Sequence, residues 1–275
     1  MKKLFAAGVI SVFCLLGTSA KAADIPIDIK VNGEYIITDT KPVIKSDITY
    51  APVRSIAEAL GADSVDWSPI QKTATINIDS KEIKISIGSN TAYVNAQPTK
   101  INGTSFILND RTYIPVRSVS NLFNAKVWWD SEMYNVELSK SSVSLPEEMI
   151  DTTYTNDEIY WLSRIINAES QGEPLKGKIA VGDVILNRVK SNEFPNTIYG
   201  VIFDKKYAVQ FEPVSNGTIY NTPSKESVAA AKYSLSSDSS VGNCLYFFNP
   251  KLATSSWIIN NRTYYTTIGG HAFYL

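Results

Sequence analysis

Apolar and polar residues alternate along much of the first half of the chain, and the pattern occurs twice. The segment 49–55, TYAPVRS, returns as 112–118, TYIPVRS. Each copy continues with a short amphipathic stretch, then a Val-x-Trp step, then a second alternating stretch. In the first copy these three features lie at 56–60, 65–67 and 73–78, and in the second copy at 119–123, 127–129 and 134–138. Each copy therefore predicts a strand, a short helix with the proline in its first turn, and a hairpin. Alternation at 83–87 and 92–95 predicts further strands between the copies.

In the second half, apolar residues recur with the period of a helix. Thr155, followed three residues later by Glu158, has the pattern of a capping box and predicts a helix start. Four residues then follow one another at spacings of three, four and three: Ile159, Leu162, Ile166 and Glu169. These spacings place them on a common face of the helix. We expect this helix to end with Gly172 as its cap, because Pro174 cannot continue it. The almost wholly apolar stretch 181–189 predicts a second, buried helix that packs on the first.

Together the two halves predict an α+β protein of two domains. A mature chain of roughly 250 residues suits two domains, and a serine-rich stretch closed by a proline, 139–146, separates the patterns. We expect a β-rich N-terminal domain with short helices over 28–139, a linker over 140–154 and an α+β domain over 155–275.

The first residues have the layout of a secretory signal peptide. Lys2 and Lys3 precede an apolar run, 4–16, and an A-x-A site ends at Ala22. The run is shorter than the about 20 residues that a membrane span needs. Cys14 lies inside it and would leave with it, which disfavours a lipid anchor. We therefore expect residues 1–22 to be removed, and a secreted protein without a membrane span.

The charge balance argues against nucleic acid as a partner. The precursor has 26 basic and 27 acidic residues, and loss of Lys2, Lys3 and Lys21 leaves 23 against 27, a net charge of −4. Of the two cysteines, the mature chain keeps only Cys244, so it has no internal disulfide.

The duplicated region resembles the copper amine oxidase N-terminal-like stalk domains of secreted Gram-positive proteins, and the TYxPVRS pair carries the resemblance. The name does not imply copper, because residues 28–139 contain neither histidine nor cysteine. We expect a spacer or docking module with a wall or protein ligand. Direct glycan binding through Trp67, Trp128 and Trp129 is the alternative, although core packing is the commoner role of such tryptophans.

Glu169 is the residue with the clearest chemical potential. It lies on the inward face of its helix, where loss of hydration raises the pKa of a carboxyl group and keeps it protonated near neutral pH. A general acid for glycosidic cleavage needs that property. The structural alternative is a glutamate at a helix end that simply reaches solvent.

The second half resembles the SleB-type cell wall hydrolases, the family of the spore cortex-lytic enzymes. The matching segments, spread over residues 155–275, are 165–174, IINAESQGEP, then 177–189, 194–198, 200–203, 210–214, 247–250 and 268–274. The resemblance implies a lysozyme-like, lytic-transglycosylase-like domain in which Glu169 is the acid and base. It also implies peptidoglycan of the cell wall or spore cortex as the partner, and a wall-associated or spore-associated location.

Several further residues are predicted to contact the substrate: Glu173, Gln210, Phe211, Asn249, His271 and Tyr274. Arg188, on the apolar helix, is expected to be a structural cation. No metal or other cofactor is expected.

Three rival functions remain open at this point. A zinc amidase usually needs two or more histidine ligands, and the chain has only His271. A peptidase could use Cys244 with His271, but the cysteine lies in an apolar run, which favours a buried thiol. The third is a wall-binding protein without activity. The stalk-like region differs from the binding module of many spore enzymes, which leaves a role in germination open.

Overall fold

The computed structural model describes residues 25–206, 210–252 and 256–275, so the predicted signal peptide lies outside the described residues. Strands dominate the N-terminal half. Its elements are β1 (Asp28–Val31), β2 (Glu34–Tyr35), β3 (Val43–Lys45), β4 (Ile48–Pro52), α1 (Val53–Ala59), β5 (Ser64–Ser68), β6 (Thr73–Ile78), β7 (Lys81–Ser86), β8 (Thr91–Val94), β9 (Gln97–Lys100), β10 (Phe106–Leu108), β11 (Arg111–Pro115), α2 (Val116–Leu122), β12 (Lys126–Asp130) and β13 (Asn135–Ser139). The predicted order of strand, short helix and hairpin is confirmed in both copies.

These strands form three sheets, with the orders β12-β13-β1-β2, β10-β11-β4-β3 and β5-β6-β7-β8-β9. Inward-facing aliphatic residues of the sheets and of the two helices pack into one core, which includes Ile56, Ile76 and Val119, all fully buried. The prolines were expected in the first helical turn. Instead Pro52 and Pro115 end their strands and are the residues just before each helix, where their extended backbone suits the change of direction.

The expectation that the tryptophans of the repeat pack in the core was wrong for two of them. Trp67 is 39% exposed and Trp128 is 47% exposed. Both lie on edge strands, β5 and β12, which pair on one side only, and aliphatic residues of the neighbouring strands fill the core instead.

The segment predicted as a linker packs along the N-terminal half. The ammonium group of Lys140 is buried, where it donates to the carbonyl of Leu60 (2.9 Å) and pairs with Asp79 (2.8 Å). Farther along, a short 3₁₀ helix, Glu147–Met149, precedes a bridge between Ile150 and Ile36. The lysine thus holds the start of the segment against the ends of α1 and β6, and the bridge holds its end beside β2.

The C-terminal half is mainly helical, and a single sheet of three strands is found among its described residues, near the end of the chain. Its elements are α3 (Asn156–Ser170), α4 (Leu175–Lys190), α5 (Ile198–Ile202), α6 (Glu212–Asn216), α7 (Lys225–Ser236), β14 (Tyr246–Phe248), α8 (Trp257–Asn261), β15 (Tyr264–Ile268) and β16 (His271–Tyr274). The sheet order is β14-β16-β15. The predicted α+β fold class is confirmed. Among the described residues, no helix combines the length and the apolar character needed to cross a bilayer.

Three helices, α3, α4 and α7, pack closely around an aliphatic core that includes Ile166, Val184 and Ala230. Gly182 permits the close approach, because a Cβ there would lie 2.6 Å from the Ser234 hydroxyl. The predicted glycine cap of α3 was wrong. Gln171 caps the helix in a right-handed conformation, and Gly172 does not adopt the left-handed one.

The two halves contact each other through α3 and α7. Lys232 on α7 is buried; it pairs with Asp28 (2.6 Å) and donates to the carbonyl of Tyr134 (2.9 Å). On α3, Arg164 pairs with Glu132 (3.3 Å). A buried charge of this kind is costly to leave unpaired, so these pairs specify how the halves dock.

Candidate active site

Helix α3 positions Glu169 at its last turn. The capping box is present: the backbone N–H of Glu158 donates to the Thr155 hydroxyl (3.2 Å), and the N–H of Thr155 donates to the Glu158 carboxylate (2.8 Å). The predicted inward face is fully buried at Ile159, Leu162 and Ile166. Glu169, one turn farther, is half-buried where this face leaves the core. Its carboxyl group is therefore shielded from water on one side and open on the other.

A polar groove of about 440 Å³ opens at this point, and we call it the Glu169 groove. The end of α3 forms one wall, and α6 with the 3₁₀ turn Thr218–Tyr220 forms the other. The groove is lined by amide, hydroxyl and carboxyl groups of the following residues: Asn167, Glu169, Gln171, Glu212, Asn216, Thr218, Asn221 and Thr222. Such a lining suits a ligand that carries many hydroxyl and amide groups.

Burial, together with the negative charge of Glu212, raises the pKa of Glu169 to about 7, while the positive charge of Arg188 opposes the rise. About half of these carboxyl groups therefore hold a proton at neutral pH. A carboxyl group with this pKa can both donate and accept a proton in one reaction cycle.

Arg188 lies behind the Glu169 groove and is buried. It donates to the carbonyl of Leu245 (2.8 Å), and its guanidinium lies 5.3 Å from the ring centre of Phe211 and 4.9 Å from that of Phe194. Burial lowers the pKa of Arg188 to about 10, so the group still carries its charge at neutral pH. It makes no direct ion pair with Glu169, which leaves the glutamate free to hold its proton.

Three of the predicted substrate-binding residues lie together elsewhere, around the turn between β15 and β16. The carboxylate of Glu173 accepts from the backbone N–H of Gly270 (2.8 Å) and lies 3.5 Å from the Nδ1 atom of His271. Asn249 accepts from the N–H of Lys251 (3.0 Å), and a Cβ on Gly270 would lie 3.1 Å from its amide nitrogen. Burial lowers the pKa of His271, although Glu173 opposes this. These contacts hold the turn in place.

The other three predicted residues are also outside the described lining of the Glu169 groove. Phe211 is buried directly before α6, with Gln210 half-buried beside it. Tyr274 is buried in β16, with its ring 5.5 Å from that of Phe248. Phe211 still bears on the site, because it packs on Arg188 and leads into Glu212.

Glu212 is the second carboxyl group of the Glu169 groove, and it is not among the residues predicted from the sequence. It is exposed at the first position of α6, with Pro213 following. Its segment, 210–214, is one of those that resemble the family, and a carboxylate at a helix start next to a proline is the signal that the sequence offers. Asn216, Thr218 and Asn221 gave no sequence signal, because a polar loop is their ordinary setting.

The thiol of Cys244 is buried, and burial raises its pKa to about 11. A thiol with this pKa is almost wholly protonated at neutral pH and is a poor nucleophile. The interpretation of Cys244 as a small buried apolar residue agrees with its surroundings.

The fold and the site define an α+β enzyme domain with a polar groove, in which one carboxyl group, that of Glu169, holds a proton near neutral pH. Residues 172–274 match the family model described as Cell Wall Hydrolase, and residues 30–138 match the Copper amine oxidase N-terminal domain. The C-terminal part of the chain is therefore similar to the cell wall hydrolase family. Glu169 lies three residues before the matched range.

Curated relatives named spore cortex-lytic enzyme match the chain over part of its length. The one from Bacillus cereus is 42% identical over 120 residues, which is 44% of this chain and 45% of the relative. The one from Oceanobacillus iheyensis is 36% identical over 128 residues, 46% of this chain and 45% of the relative. The chain thus spans less than half the length of these relatives.

Two solved structures are also similar. The catalytic domain of the germination-specific lytic transglycosylase SleB from Bacillus anthracis is 40% identical, with a TM-score of 0.42, and the match covers 46% of this chain and all of that domain. The catalytic domain of the Bacillus cereus SleB protein is 38% identical, with a TM-score of 0.40, and the match covers 50% of this chain and 98% of that domain.

Proposed function

We propose that the C-terminal domain is a lytic transglycosylase that cleaves the bond between N-acetylmuramic acid and N-acetylglucosamine in peptidoglycan. The observation that carries the proposal is the half-buried Glu169, with a pKa of about 7, facing a groove of hydroxyl and amide groups. The match of residues 172–274 to the Cell Wall Hydrolase model supports the same substrate. Curated relatives are named spore cortex-lytic enzyme, and the similar SleB domain from Bacillus anthracis is described as a germination-specific lytic transglycosylase.

In the proposed reaction, Glu169 first donates its proton to the oxygen that bridges the two sugars. The bond between that oxygen and C1 of the muramic residue breaks, and positive charge develops at C1. The carboxylate then accepts the proton of the C6 hydroxyl of the same residue, whose oxygen attacks C1. The products are a free N-acetylglucosamine end and a 1,6-anhydromuramic end, and no water is consumed. The nearby negative charge of Glu212 would favour the transient positive charge at C1.

Glu212 also gives a second candidate reaction. A carboxylate across the groove from the acid could hold and deprotonate a water molecule, which would then attack C1 in place of the C6 hydroxyl. The product would be an ordinary reducing end. The two reactions differ by one molecule of water in the product, so product mass separates them.

Export and location belong to the same proposal. The predicted signal peptide would deliver the enzyme to the wall or to the spore. The spore cortex is the substrate that the names of the relatives suggest.

The test is the digestion of purified sacculi and of spore cortex, followed by mass spectrometry of the fragments. We expect anhydromuropeptides from the parent protein and none from Glu169→Gln. Asp157→Asn is the matched control, because this carboxylate is exposed at the other end of the same helix. It should digest like the parent.

Other outcomes would contradict the proposal in different ways. Reducing ends that require Glu169 would mean attack by water. Released stem peptides with intact glycan would mean an amidase or a peptidase. Unchanged sacculi would leave a binding protein without activity.

A further inference from the structure

The two copies of the N-terminal repeat are related by an internal two-fold axis. Strands β4 and β11 pair antiparallel, and Ala51 lies opposite Ile114, its counterpart in the other copy. The neighbouring pairs, Tyr50 with Pro115 and Pro52 with Tyr113, are exchanged by the same axis. Every surface feature that depends on the repeat therefore occurs twice.

One such feature is a groove that the two copies form together. It lies between the start of the helix of one copy and the turn before the paired strand of the other, so that α1 faces the turn before β11 and α2 faces the turn before β4. The first, which we call the Trp67 groove, has a volume of about 440 Å³ and includes Arg54 and Asp110. The second, the Trp128 groove, has about 370 Å³ and includes Arg117 and Asp47 at the equivalent positions. Both volumes suit a small ligand or a segment of a polymer.

The arginines of the Trp67 groove are already neutralised. Arg54 pairs with Glu58 (3.2 Å) and donates to the carbonyl of Val65 (2.8 Å). Arg111, at the rim of the same groove, pairs with Asp39. Little hydrogen-bonding capacity is left here for a ligand.

The Trp128 groove lacks these internal partners. The positions of Glu58 and Asp39 are occupied in the other copy by Asn121 and Asn102. Within the described part of the chain, the exposed guanidinium of Arg117 has neither a hydrogen-bond nor an ion-pair partner. Its donors are therefore available, and a guanidinium binds hydroxyl and carboxylate oxygens in pairs.

The same groove also has more aromatic surface. Trp128 replaces the aspartate found at the equivalent position of the first copy, and Trp129 lies beside it on β12. Trp128 is 47% exposed, which leaves a flat ring face open at the rim. The groove thus combines indole faces with a free cation, one carboxylate and an amide.

The Trp128 groove continues toward the C-terminal domain. Ile44, Asp47 and Tyr134 line both this groove and a cleft of about 670 Å³, which Lys225 and Tyr233 of α7 close on the other side. The Trp67 groove shares no described residue with this cleft.

The start of α7 connects the cleft to the active site. Thr222, three residues before Lys225, lines the Glu169 groove. The backbone N–H of Ser224, between them, donates to Asn167 at the end of α3 (2.9 Å). The start of α7 thus borders the cleft at Lys225 and the Glu169 groove at Thr222.

We propose that the Trp128 groove is a binding site for the amino-sugar strand of peptidoglycan, and that it holds the strand at a distance from the bond that is cut. The C–H face of a sugar ring packs on an indole face, and the hydroxyl and acetamido groups at its edge bond to arginine, aspartate and asparagine side chains. The free guanidinium suits the lactyl oxygens of a muramic residue, which belong to a carboxylate where the stem peptide is absent and to an amide where it is attached. The identity of the polymer depends on the proposed function, whereas the existence of a binding site is inferred from the side chains that line the groove.

The experiment measures binding without cleavage, in the full chain carrying Glu169→Gln. The probes are purified sacculi and glycan strands freed of their stem peptides, and binding is followed by co-sedimentation. In this background, Trp128→Ala should weaken binding to both probes by about tenfold, because it removes the exposed indole face. This loss corresponds to about 1.4 kcal/mol. Trp67→Ala is the matched control, because Trp67 is also exposed on an edge strand, and it should change binding by less than about twofold.

A second pair of measurements tests the connection to the active site. In the active chain, Trp128→Ala should slow the digestion of sacculi but leave the cleavage of short soluble fragments unchanged, because a short fragment cannot reach both sites. Equal binding by the Trp128 and Trp67 variants would overturn the inference. Binding to peptide-bearing fragments but not to peptide-free strands would also overturn it, because the ligand would then be the peptide. A chain that binds through Trp128 but cleaves neither probe would refute the proposed function and leave this site intact.

Discussion

Replacing Glu169 with glutamine should stabilise the protein at alkaline pH, even though it removes the proposed acid. Burial and the charge of Glu212 raise the pKa of Glu169 to about 7 in the folded protein, against an ordinary value of 4.5. Between these two values the folded protein holds the proton more tightly than the unfolded chain does. The free energy of unfolding therefore falls as the pH rises through this range. Glutamine does not ionise and avoids this loss.

The size of the effect follows from the two pKa values. The step from 4.5 to about 7 corresponds to roughly 3.5 kcal/mol, at about 1.4 kcal/mol per pH unit. Because Glu169 is half-buried rather than enclosed, screening by solvent reduces the effect, and we expect about 2 kcal/mol. This loss in the free energy of unfolding is absent below pH 4.5 and fully present above about pH 7.

The assay is urea denaturation of the parent and of Glu169→Gln at about pH 5 and about pH 8, followed by helical circular dichroism, which reports on the C-terminal domain. The parent should lose about 2 kcal/mol relative to the variant between the two conditions. Other titrating groups are common to both proteins and cancel in the comparison. The same pH dependence in both proteins would refute a raised pKa for Glu169, and with it the argument that this residue holds a proton near neutral pH.

Three further predictions concern the site and its supporting helices. In Glu212→Gln, the fall of cleavage with rising pH should begin at lower pH, because loss of the negative charge lowers the pKa of Glu169; an unchanged pH–rate profile on labelled sacculi would contradict this. Gly182→Ala should cost about 1–3 kcal/mol in thermal denaturation, because its Cβ would lie 2.6 Å from the Ser234 hydroxyl. Gly172→Ala is the control, with no atom within 4 Å of its Cβ, and equal stability of the two variants would refute the close packing. Cys244→Ala should retain cleavage while losing about 1 kcal/mol of stability, because the thiol is buried and protonated; loss of cleavage in a folded variant would favour the peptidase.

Much of the local structure could be predicted from the sequence, because it depends on residues close together in the chain. The capping box at Thr155 and Glu158 needs a spacing of three, and it begins α3 as expected. The repeat predicted the same elements twice, because the same local pattern folds in the same way. The inward position of Glu169 followed from the helical period alone. The division into domains at 140–154 stays a prediction, although the segment itself packs against the sheet.

The tertiary structure alone decided which polar groups meet. Glu173, close to Glu169 in sequence, turns its carboxylate to Gly270 on the last hairpin, and Glu212 faces the groove instead. The exposure of Trp128 likewise depends on which strand becomes the sheet edge, since the period of a strand does not distinguish an edge from a centre. These outcomes are set by contacts between residues far apart in the chain, and no local pattern contains them.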